Sequence, residues 1–172
     1  MSRTALLAAA LAGALLSGCA AMTGHPQNAE EFRQAVPGAF LGEVETFEVE
    51  RPFSEVAGTF QRKAPECLNV SIRTVSSGYM HYQVIVTTYK PTVVVNGDRA
   101  ELHVQFHHEQ GVMNVTKEPE GGYYLLVADL FPSGTNRTRV DLYRPSMGHD
   151  VLVKGIKGWA SSDSAGCPDL TA

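Results

Sequence analysis

From Glu43 onward, apolar and polar positions mark out strands more often than helices. Glu43-Val44-Glu45-Thr46-Phe47-Glu48-Val49-Glu50 alternates as a half-buried strand does, with one slip at Thr46-Phe47 that a bulge would produce. Pro52 ends this run, and the period then changes. Ser54 is a good N-cap, and Val56, Phe60 and Ala64 recur on one helical face. Glu55 suits the positive end of the helix dipole, and Arg62 and Lys63 suit the negative end. The spacing predicts a helix over 55–64 that Pro65 stops. Strands follow over 68–74, after which Ser76-Ser77-Gly78 turns the chain, and over 79–89, which Pro91 breaks. A strand over 92–95 meets the hairpin signal Asn96-Gly97-Asp98, and Glu101–His107 then alternates cleanly. A weaker strand is predicted over 111–117, and a last hairpin joins 123–131 to 138–143 around Pro132-Ser133-Gly134. Leu152, Gly155, Ile156 and Trp159 sit at helical spacing and predict a closing helix over 148–160. The expected fold is α+β: an antiparallel β-sheet with two helices packed on one face, in β-α-β(n)-α order.

The first residues follow a different pattern. Arg3 precedes an apolar run over 5–16, which has the length of a signal-peptide core and is too short to span a bilayer. It ends in Leu16-Ser17-Gly18-Cys19, which resembles the lipobox of bacterial lipoproteins. The resemblance implies that the Cys19 thiol receives a diacylglycerol, that the chain is cut before Cys19, and that the new amino terminus is acylated, with palmitate among the usual chains. It also implies a cell-envelope location. Ala20 and Ala21 stand where an aspartate favours inner-membrane retention, so the expected site is the outer membrane, facing the periplasm. Two or three acyl chains anchor stably where one binds only marginally. The body resembles lipoproteins of proteobacterial envelopes through the lipobox, the Cys67 and Cys167 pair and the late Trp159. The element order is similar to helix-grip folds. Three segments result: 1–18 as signal peptide, 19–38 as lipidated amino terminus and tether, and 39–172 as one globular α+β domain. Within the tether, Asn28 to Glu31 has the form of a capping box, predicting a short helix over 30–36 before Pro37. A flexible tether of this length reaches about 25 Å by random-coil scaling.

Loss of the signal leaves 154 residues, enough for one core. The formal net charge of −4 becomes −5 once Arg3 is gone, and no basic stripe exists. Nucleic acid is therefore not an expected partner. With Cys19 carrying lipid, Cys67 and Cys167 remain, and export to an oxidising compartment predicts a disulfide between them. A catalytic thiol and a metal ligand are the rival readings, and neither cysteine has a His or second Cys at ligand spacing.

The remaining candidates for chemistry are scattered. His103, Gln105 and His107 share one strand face, but two residues of strand advance about 6.6 Å, so the imidazoles at 103 and 107 stand roughly 13 Å apart. That separation is too wide for one ion, and no metal or cofactor is expected. No Gly-x-Ser-x-Gly or phosphate-cradling loop occurs. Asp129, inside the apolar run 125–131, is expected to pair with Arg137 or Arg139 across the last hairpin. The first functional expectation is a non-enzymatic envelope lipoprotein, joined to the membrane through Cys19, that binds a protein partner. The alternative is a carrier or sensor of a small apolar ligand in a pocket lined by Val56, Phe60, Ile156 and Trp159. A third reading, a hydrolase, would need Asp129, His81 and His103 to converge.

Overall fold

The apolar run over 125–131 proves to be an inner strand of a six-stranded antiparallel sheet. The structure, a computed structural model, describes residues 24–78, 81–108 and 118–171, with backbone alone at 76–78 and 81–83. The expected signal peptide over 1–18, Cys19 and the predicted strand over 111–117 lie outside the described residues. The elements are helix α1 (Ala29–Ala35), a 3₁₀ turn (Val36–Gly38), β1 (Gly42–Val49), α2 (Phe53–Leu68), β2 (Ser71–Gly78), β3 (His81–Asn96), β4 (Arg99–His108), β5 (Tyr123–Pro132), β6 (Thr138–Pro145) and α3 (Asp150–Ser161). The sheet runs β1-β6-β5-β4-β3-β2. The α+β class with an antiparallel sheet is as expected.

Every position of β5 from Leu125 to Leu130 is buried, because both faces of this strand are covered. Leu126, Ala128 and Leu130 join the main core, to which α2 contributes Val56, Phe60 and Leu68 and α3 contributes Leu152, Ile156 and Trp159. Val127, between them, points the other way and packs with Ala29, Phe32 and Val36 of the α1 segment. The sequence reading assigns this segment to a tether. Instead, α1 is a third helix covering the opposite face of the sheet. Its N-cap forms as expected, with the Glu31 amide donating to Asn28 Oδ1 at 2.9 Å, while Glu31 Oε2 accepts from the Gln27 amide at 2.8 Å. Gly42 lets the turn close onto β1, since a Cβ there would lie 2.0 Å from the Val36 carbonyl oxygen.

Three elements depart from expectation at identifiable residues. β1 pairs with β6 in unbroken register from Gly42–Pro145 to Val49–Thr138, so the slip at Thr46-Phe47 is not a bulge. Phe47 and Val49 pack against the core, whereas Val44 faces outward. α2 continues through Pro65, which stands inside the helix near its end. There the missing N–H forfeits one hydrogen bond, while wholly buried Leu68 and the bonded Cys67 hold the final turn. β3 likewise runs through Pro91, which is in register with Val104. The Tyr89 amide points toward β2 and donates to the Val70 carbonyl, and Pro91 faces the same side beyond the end of β2, where no ladder bond is lost.

The Cys67–Cys167 disulfide is present, with Cα atoms 5.2 Å apart. It joins the end of α2 to the tail that follows α3, and Trp159 Nε1 donates to the Gly166 carbonyl at 2.9 Å. Arg51 caps the C-terminal end of α3 by donating to the Trp159 and Ala160 carbonyls at 3.0 and 3.1 Å.

Candidate functional site

Two constellations stand out, one polar and closed, the other open. The polar one lies between α1 and the sheet. Arg33 donates from Nε to Asp129 Oδ2 and from Nη2 to Asp129 Oδ1, both at 2.7 Å, and also bonds Glu101. Arg99 adds contacts at 3.3 Å to both carboxylates, and His103 Nε2 lies 3.0 Å from Glu101 Oε2. Glu101 and Asp129 are brought together as register partners on neighbouring strands. Burial raises the Glu101 carboxyl pKa, but hydrogen bonds from His103 and Arg33 outweigh it, and the net shift is downward. Burial opposes the charge of Arg33, yet Asp129 and Glu101 hold its guanidinium even more firmly protonated than usual.

The partners predicted for Asp129 are corrected here. Arg137 bonds Glu48, and Arg139 pairs with Asp141 and lies over the Phe131 ring, while Arg33 and Arg99 take the Asp129 carboxylate. Their fork-shaped donors satisfy a carboxylate whose side chain is only 3 % exposed. His103 thus serves Glu101, Asp129 serves the arginines, and the side chain of His81 lies outside those described. The arrangement clamps α1 to the sheet.

The open constellation is a groove where the N-terminal end of α3 meets the sheet. A register shift between Val104 and Gln105 leaves Leu125 as an extra residue in β5 and turns it into the core shared with α2 and α3. There Leu125 and Phe106 stand beside Thr87, Tyr89, His108 and His149 around a cavity of about 200 Å³. Tyr89 and His149 also border a second cavity of about 120 Å³, which Asp150, Asp169 and Leu170 help to line. The disulfide-tied tail brings Asp169 and Leu170 to this position. Burial pushes the Tyr89 phenol pKa up. His149 is an exposed residue whose ring borders both cavities, and loss of water there pushes the imidazole pKa down against the pull of Asp150. Its backbone is left-handed, with φ 60°, a conformation a non-glycine residue adopts at a cost. Thr87 Oγ1 lies 2.9 Å from His108 Nδ1 and fixes that ring on the rim.

The pocket expected from Val56, Phe60, Ile156 and Trp159 is corrected as well. All four are wholly buried in the main core, and Phe60 meets Trp159 edge to face at 6.2 Å between ring centroids. They fill the space between helices and sheet. Among the described residues, Glu66, Cys67 and Cys167 gather at ligand-like distances, but the two sulfurs are bonded to each other and free neither for a metal nor for nucleophilic chemistry. The groove escapes the sequence reading because Tyr89, Phe106, Leu125 and His149 come from four separate elements, and only Gly148-His149 hints at an unusual turn. No family model matches the chain, and no curated protein matches it.

Proposed function

We propose that the chain is a lipid-anchored envelope lipoprotein, held in the outer membrane by acyl chains on Cys19, whose domain binds a protein partner. The anchor rests on Leu16-Ser17-Gly18-Cys19 behind its apolar run. The body from β1 onward reads as a β-α-β(n)-α unit with α2 and α3 on one face, and their junction with the sheet forms the groove. One observation carries the choice of partner, namely the size and openness of that groove. Cavities that enclose a small ligand run to about 300–1,000 Å³ and cover most of its surface. The two cavities here, at about 120 and 200 Å³, open outward and suit one or two anchoring side chains of a protein. Their apolar floor at Phe106 and Leu125, with a polar rim at His108, His149 and Asp150, has the layout of a small protein-binding patch.

The test places a photoreactive residue at His108 on the groove rim and, separately, at Thr135 in the distant β5–β6 hairpin. The expected result is a discrete protein adduct in the envelope from position 108 that position 135 does not give. The same adducts from both positions, or none from either, would overturn the reading.

A further inference from the structure

Phe40 is 99 % exposed, the most outward large apolar side chain among the described residues, and Leu41 and Met147 are 46 % and 65 % exposed. The sheet register brings these three to one place. Gly42 pairs with Pro145, and the Ser146 amide donates to the Leu41 carbonyl at 2.7 Å, so Leu41 and Met147 flank the same corner of the sheet. Val127 pairs with Tyr143, so this corner lies at the end of the sheet where β5 begins at Tyr123. The amino-terminal segment reaches that same end, because the His25 ring packs edge to face on Tyr123 with centroids 4.7 Å apart. His25 lies only six positions after Cys19. Even fully extended, that stretch spans at most about 20 Å.

We propose that Phe40, Leu41 and Met147 form a membrane-contact tip, seated in the headgroup region of the bilayer that carries the chain's own lipid anchor. The inference rests on the lipoprotein reading and deepens it by fixing how the domain stands. The occupant follows from the tether. A domain held this close presents one end to the lipid surface, and that end carries the exposed aromatic and aliphatic side chains. Contiguous exposed apolar groups of this kind mark interaction sites. No lysine or arginine cluster accompanies them in the sequence 36–44 or 145–151, so the contact is apolar and does not require anionic lipid.

The test uses the full lipidated protein in phosphatidylcholine–phosphatidylethanolamine vesicles with brominated acyl chains. Mass spectrometry of the amino-terminal peptide first establishes acylation of Cys19. Two variants are compared with the parent, whose single Trp159 is wholly buried: Phe40→Trp at the tip and Thr135→Trp at the far end. The added emission at position 40 is expected to fall by about half, as for a side chain roughly 5–10 Å into the interface, while that at 135 is unchanged. An acylated chain with no quenching at 40, or with equal quenching at both positions, would overturn the membrane tip and leave the lipoprotein reading standing. An unacylated Cys19 would remove both. If Phe40→Trp is unquenched and Phe40→Asp abolishes adducts from the groove, the patch belongs to a protein interface, and the membrane tip is again overturned.

Discussion

Asp129 is the residue whose surroundings most constrain the fold, since its carboxylate sits nearly out of water between two strands and under α1. Removing one member of such a cluster leaves an uncompensated charge, which costs about 3 kcal/mol or more in a buried setting. For Arg33→Met the expected fall in thermal midpoint is about 10 °C for a domain of this size, read by circular dichroism. Arg33→Lys retains the charge but loses the fork that meets both Asp129 oxygens, so a loss of about half that size is expected. No change for either variant would show that α1 does not depend on the clamp. Asp129 was legible in the sequence as a charge inside an apolar run. Its partner was not, because Arg33 lies 96 positions away in a stretch whose Pro, Gly and small residues resemble a linker. The signal that points there is the continuity of 125–131. A strand wet on one face alternates, and one apolar at successive positions is covered on both.

At the scale of elements, the sequence showed where strands and helices lie but misjudged what proline does to them. Pro65 and Pro91 read as stops because proline lacks a donor, yet the chain continues through both: near the end of α2 one forfeited hydrogen bond is offset by the buried Leu68 and the bonded Cys67, and Pro91 faces a flank of β3 that β2 no longer covers. Such exceptions depend on neighbours that a local pattern does not contain. The disulfide belongs to this scale too, since it joins the last turn of α2 to the tail after α3 across a sequence separation of 100. Chain-entropy reasoning puts its contribution at up to about 4–5 kcal/mol, with about 2–4 typical. The double variant Cys67→Ser, Cys167→Ser is expected to lose an amount in that range by urea denaturation. It should also loosen Asp169 and Leu170 from the groove, seen as faster amide exchange in the tail than in α2. Equal stability with and without the bond would mean that the core contacts of Leu68 and Trp159 already fix both ends.

For the whole molecule, the docking of α1 changes how the domain would stand on the lipid surface that the proposed Cys19 anchor implies. A free tether over 19–38 would let the domain range about 25 Å from its anchor and turn in any direction. With α1 clamped and His25 packed on Tyr123, the free connection to Cys19 shortens and its exit lies at the end bearing Phe40, Leu41 and Met147. The groove opens near the same end, since Phe106 pairs with Tyr123 and His108 with Thr87. On the proposed lipoprotein reading, a partner engaged there would meet the domain close to the lipid surface. On this account, tether length sets the local concentration of the tip at the bilayer, and lengthening a flexible connection dilutes it. Inserting about 20 Gly and Ser residues between Cys19 and Gly24 leaves every contact of the described residues in place, so stability should stay within roughly 0.5 kcal/mol of the parent. Acylation should also be unaffected, whereas quenching of Phe40→Trp by brominated lipid should fall by about half or more, as dilution of the tip predicts. Quenching that persists unchanged would show that the three side chains hold the membrane unaided, and that the short tether serves some other end.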